Sequence, residues 1–129
     1  MIADTSALVA ILRQEPEEAR FIELLLADAR PRLSAATLCE ARIVAFGYRI
    51  DAELAELLDL VAPEVVTVDE MQVKLAFEAF RRFGRGRHPA GLNFGDCFSY
   101  AVARALDEPL LFKGDDFSKT DVKIADRPE

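Results

Sequence analysis

Apolar positions along the chain alternate between short continuous runs and longer stretches with helical spacing. Met1 to Thr5 predicts a buried strand, and Ser6 to Leu12 stays apolar but is rich in Ala and Leu, so a helix should start directly from that strand. After Pro16, the spacing of Ala19, Ile22, Leu25 and Leu26 predicts a helix that stops near Ala29, ahead of Pro31. Arg32 to Ala36 reads as a second strand. Thr37 opens a helix to Tyr48 with the capping-box spacing Thr37-x-x-Glu40. Asp51 caps the next helix, with an apolar face of Leu54, Leu57, Leu58 and Val61, and Pro63 ends it. Glu64 to Val68 is a third strand. A helix from Asp69 carries Val73, Ala76, Phe77, Phe80 and Phe83. Gly84 to Gly91 is a loop. Asn93-x-x-Asp96 starts a helix to Leu106, Pro109 to Phe112 is a fourth strand, Gly114 to Lys119 a turn or short helix, and Val122 to Ile124 a fifth strand.

Strands alternating with helices imply an α/β fold with a mostly parallel sheet covered by helices on both faces. No linker or internal repeat divides it, so residues 1–129 form one domain. In such folds the ligand site lies beyond the carboxyl ends of the strands.

Composition narrows the function classes. With 129 residues, 51% of them hydrophobic, and only six Gly and six Pro, disorder and low complexity are excluded. The apolar run from Ala7 to Leu12 is too short for a signal sequence or a membrane span, and two cysteines suffice for no disulfide framework. A cytoplasmic protein is expected. The net charge of −7 is uneven: Asp51 to Glu70 holds seven acids and no base, leaving 16 of each elsewhere. Arg81, Arg82, Arg85, Arg87 and the single His88 form a basic cluster, so nucleic-acid contact remains open despite a pI near 4.8.

Asp4 closes an apolar strand with no basic residue nearby in sequence; it is either a helix cap or a functional acid. Glu40 and Asp96 each sit near the start of a helix, where capping is singly the simpler explanation, and Asp115 and Asp116 follow the fourth strand, where a solvated turn is. A parallel sheet places all of these on one rim. Carboxylates converging without cations repel one another unless a multivalent ion sits among them, and hard oxygen ligands favour Mg2+ or Mn2+ over zinc. Such a site suits phosphodiester hydrolysis. Thr5 and Ser6 are placed to hydrogen-bond a carboxylate or the attacking water, and Arg85, Arg87 and Lys113 to contact phosphate.

Four segments in order carry a resemblance: Met-Ile-Ala-Asp-Thr-Ser-Ala-Leu-Val at the N-terminus, Leu-Ser-Ala-Ala-Thr-Leu-Cys-Glu ending at Glu40, the stretch 84–98 with Leu-Asn-Phe-Gly-Asp-Cys-Phe, and Leu-Leu-Phe-Lys-Gly-Asp-Asp-Phe at 110–117. The sequence resembles the PIN-domain nucleases and, within them, VapC-type toxins. The resemblance implies a PIN-like fold and a metal-dependent endoribonuclease that works as a homodimer and is silenced by a cognate antitoxin. It implies Asp4, Asp96, Glu40 and Asp115 as metal ligands, with Asp116 an alternative for the last, and Thr5 at a small hydroxyl position beside them.

Three rivals share some of these features. A receiver-like phospho-acceptor domain also has this length and a late lysine, but needs a second acid near Asp4. A phosphatase of the haloacid-dehalogenase type needs an acid where Ser6 stands. A catalytically inactive PIN-fold binding module is the third. Cys39 and Cys97, each beside a proposed ligand, are expected to pack in the core behind the site. The Ala7 to Leu12 run and the Leu54 face could receive a partner, although core is the simpler assignment.

Overall fold

The computed structural model describes residues 1–126, so the last three positions of the expected 1–129 domain lie outside the described residues. Its elements run β1 (Ile2–Ala3), α1 (Thr5–Leu12), α2 (Glu18–Ala27), β2 (Arg32–Ser34), α3 (Ala35–Gly47), α4 (Asp51–Val61), β3 (Glu64–Val66), α5 (Glu70–Phe83), α6 (Phe94–Leu106) and β4 (Leu110–Leu111), with a short 3-10 turn at Phe117–Lys119. The four strands form a wholly parallel sheet in the order β3-β2-β1-β4. The chain leaves β1 towards β2 on one side and returns to β4 on the other. In parallel sheets such a reversal is where a ligand crevice forms, beyond the carboxyl ends of the strands, and Asp4 directly follows the carboxyl end of β1.

Side chains of successive strand residues point to opposite faces, which splits the core in two. Ile2 and Leu110 pack with Ala76, Ala79, Phe83, Tyr100 and Val102 from α5 and α6. Ala3, Leu33 and Leu111 pack with Ala7, Leu8, Phe21, Leu25, Ala41 and Leu54 from α1 to α4. Helices therefore cover both faces, as expected for an α/β fold.

Local chemistry moves several expected boundaries. Asp4 caps α1 by accepting from the Ser6 N–H, so β1 is shorter than expected. Ser34 caps α3 through the Ala36 N–H, which ends β2 at Ser34 and removes the expected capping box at Thr37; that residue faces inward instead. Asp51 is the first residue of α4 and Ile50 its cap. Asp69 and Asn93 cap α5 and α6 as expected, the latter in a full capping box with Asp96. The expected fifth strand is a single bridge between Leu110 and Ile124, and β3 ends at Val66.

Leu33 is fully buried in the middle of the sheet. Leu33→Ala is expected to destabilise the fold by about 2–5 kcal/mol, read as a lower urea midpoint with an unchanged denaturant slope.

Candidate active site

Asp4 is 2% exposed, and its carboxylate collects donors from several elements. Its Oδ2 accepts from the Ser6 N–H at 3.0 Å and the Ser6 hydroxyl at 2.7 Å, and its Oδ1 accepts from the Ser99 hydroxyl at 2.5 Å. The Ser6 hydroxyl in turn accepts from the Lys113 N–H at 3.0 Å, which ties the loop after β4 to the start of α1. Thr5, beside Asp4, donates its hydroxyl to Glu40 Oε1 at 2.5 Å.

Glu40 projects from α3 onto the first turn of α6. A Cβ at Gly95 would lie 2.0 Å from Glu40 Oε2 and 2.6 Å from its carboxyl carbon, so a glycine is what lets the carboxylate rest there. The next residue is Asp96, whose Oδ2 accepts from the Asn93 N–H at 3.0 Å. Burial pushes the Asp96 carboxyl up to about 6; the Asn93 N–H opposes this, and the charges of Asp4, Asp116 and Glu40 add to it. The Asp96 carboxyl thus feels the charge of Asp116 as well as those of Asp4 and Glu40. Asp115 and Asp116 are both exposed on the turn after β4.

Among the described residues, no three Asp, Glu, His or Cys side chains are gathered closely enough to ligate one ion. Asp4, Glu40 and Asp96 are each held by a donor of their own. The donor set nevertheless fits a hard divalent cation in type, since it is all carboxylate oxygen and raises the protonation tendency of Asp96.

The expected phosphate contacts are distributed unevenly. Arg85 and Arg87 are exposed, and among the described residues neither makes an ion pair; Arg87 donates to the Arg81 carbonyl at 3.3 Å. Their loop is closed by Arg85 N–H to Leu92 and Leu92 N–H to Phe83, both at 2.9 Å. Arg81 pairs with Glu78, and Arg82 with Asp121. The Lys113 ammonium is bonded to Glu15 and lies 3.4 Å from Glu17. His88 stands edge-on to Phe83 and accepts from the Ala90 N–H at 3.0 Å, a structural role.

Cys97 is buried and its thiol is raised to about 11, chiefly by burial. Cys39 is exposed, contrary to expectation, because Thr37, Ala41 and Ala45 form the inward face of α3. Three residues escaped the sequence reading: Gly95, Ser99 and the inward-facing Thr37. The available signal for Ser99 was a small polar residue one helical turn after Asp96, amid Tyr100, Ala101 and Val102.

A family model for the PIN domain matches residues 1–123. The chain belongs to the PIN-domain family. Ribonuclease VapC28 of Mycobacterium tuberculosis is 50% identical over 130 residues, covering 97% of each chain. The solved structure of M. tuberculosis VapC20, a toxin that cleaves the sarcin-ricin loop, superposes with a TM-score of 0.77 at 20% identity over 98% of both chains. A toxin-antitoxin complex from Klebsiella pneumoniae gives 0.71 at 15% identity, covering 93% of this chain and 92% of that one. The receiver and phosphatase alternatives fall with this membership.

In this PIN domain the raised Asp96 has a sign for stability. A folded-state carboxyl held above its unfolded value of 3.8 favours the fold at low pH, and that advantage is lost as pH rises through about 6. Asp96→Asn should therefore match the metal-free parent below about pH 4 and become more stable by about 1–3 kcal/mol above pH 6, in urea titrations across pH.

Proposed function

We propose that this PIN domain is the toxin of a toxin-antitoxin pair, an endoribonuclease that hydrolyses phosphodiester bonds in RNA with Mg2+ or Mn2+ held by Asp4, Glu40, Asp96 and Asp116. The observation that supports this reading is that Asp96 stands within the fields of Asp4, Asp116 and Glu40 beyond the carboxyl end of β1. Asp116 takes precedence over Asp115 on the same ground. A divalent ion there would supply an activated water and offset charge developing on the leaving oxygen.

The chain's own residues have distinct tasks. Asp4 and Asp96 present oxygens from the end of β1 and the start of α6, and Glu40 completes the pocket under the hold of Thr5. Arg85 and Arg87, on a closed and exposed loop, contact RNA phosphates. Lys113 is the weakest contributor of the three cations, because Glu15 and Glu17 occupy its ammonium.

A cognate antitoxin is supported by the Klebsiella neighbour, which was solved as a toxin-antitoxin complex. A homodimer is supported by a groove of about 350 Å3 between α5 and α6, lined by Val73, Phe77, Phe80, Phe94 and Phe98. Phe77 and Phe94 are 66% and 79% exposed there, whereas the apolar runs of α1 and α4 are spent on the core. A cytoplasmic location agrees with two free cysteines and with the lack, among the described residues, of any helix long and apolar enough to cross a membrane.

Purified protein incubated with total bacterial RNA should give discrete fragments in Mg2+ or Mn2+, none in EDTA, and none from Asp96→Asn. Absence of cleavage under every metal, with the parent folded, would replace the enzyme by an inactive binding module. Gly95→Ala, which displaces the Glu40 carboxylate, should slow cleavage roughly 10- to 100-fold while leaving the thermal midpoint nearly unchanged, because only a side-chain end must move.

A further inference from the structure

Beneath the acidic rim lies a fully enclosed pair of hydroxyls that neither capping nor core packing explains. Ser99 is 0% exposed and Thr37 1%, on different helices and 62 positions apart, with their oxygens 3.1 Å from each other. Ser99 follows Asp96 by one turn of α6, and its oxygen is 2.5 Å from Asp4 Oδ1. Hydrogen counting sets the direction of this chain. A carboxylate only accepts, so the single Ser99 hydrogen goes to Asp4; the contact between the hydroxyls must then be Thr37 donating to Ser99.

We propose that Ser99, oriented by Thr37, is a positioning residue that fixes the Asp4 carboxylate for the divalent ion, an inference that rests on the metal-site reading above. Ser6 holds Oδ2 from the rim side with two donors, and Ser99 holds Oδ1 from the core side with one. Donors on both oxygens fix the rotation of the carboxyl plane, which Ser6 alone would leave free to turn about the Oδ2 end. The arrangement also couples three elements: Asp4 directly follows β1, Thr37 stands on α3 one turn before Glu40, and Ser99 stands on α6 one turn after Asp96. The hydroxyl pair therefore registers the three segments that carry Asp4, Glu40 and Asp96. Partners of this kind, one bond removed from a metal, fix ligand orientation and are worth about 10- to 100-fold in metal affinity.

The test uses the full chain, with Mn2+ binding followed by calorimetry and RNA cleavage measured across Mn2+ and RNA concentrations. Ser99→Ala should weaken Mn2+ binding about 10-fold or more and leave the KM for RNA unchanged. Thr37→Val, which keeps the shape and removes the donor, should weaken Mn2+ binding less, because Ser99 still donates to Asp4. Combining the two should bind Mn2+ no worse than Ser99→Ala alone, since Thr37 acts only through Ser99. Parental Mn2+ affinity in Ser99→Ala, or losses that simply add in the double variant, would overturn the proposal. Should Ser99→Ala fail to fold, Thr37→Val decides on its own: parental affinity in that variant overturns the relay. A parent that binds no Mn2+ overturns the metal-site reading itself, whereas a binding parent with an indifferent Ser99→Ala overturns only the role of Ser99.

Discussion

A buried carboxylate with no lysine or arginine against it among the described residues is the constraint around which the acidic edge is organised. Asp4 lies at the end of the central strand β1, where burial of an unpartnered acid would be costly. The chain answers with neutral donors. Ser6 supplies a backbone and a side-chain hydrogen bond, Ser99 reaches in from α6, Thr37 backs Ser99 from α3, and the Lys113 N–H braces Ser6 from beyond β4. Because these donors sit on different elements, satisfying one acid also locks the carboxyl edge of the sheet together.

Neutral donors have a consequence for chemistry that a salt bridge would not. A cation bound tightly to Asp4 would cancel the field at the rim; hydroxyls and amides orient the carboxylate and leave its charge felt. Asp96 registers that charge together with those of Glu40 and Asp116. The basic side chain in the loop after β4, Lys113, is diverted to Glu15 and Glu17 between α1 and α2. A concentrated negative rim would repel RNA, and under the proposed function the exposed Arg85 and Arg87 offset that repulsion.

Apolar surface is partitioned with similar economy. The Ala-rich α1 and the Leu54 and Leu57 stripe of α4 vanish into the core, while α5 turns Ala76, Ala79 and Phe83 inward and leaves Val73, Phe77 and Phe80 outside. Small residues at the inward positions let α5 and α6 pack closely, so the bulky aromatics are displaced to the flank that faces Phe94 and Phe98.

Much of this was legible from residue order alone. Strand and helix succession follows from period and punctuation, which are local properties, so the parallel α/β architecture and the rim position of Asp4, Glu40 and Asp96 could be read directly. Asn93 and Asp69 announced their helices because a cap bonds within three residues of itself. Thr37 could not be read the same way: Ser34 caps the helix instead, and the Thr37 hydroxyl turns inward to meet Ser99. The burial of Ser99, the close approach of Glu40 to Gly95, the exposure of Cys39 and the effect of the Asp116 charge on Asp96 all depend on how segments far apart in the chain pack. Sequence spacing determines which face of a helix a residue shares. Only the packing of one helix against another determines what that face meets.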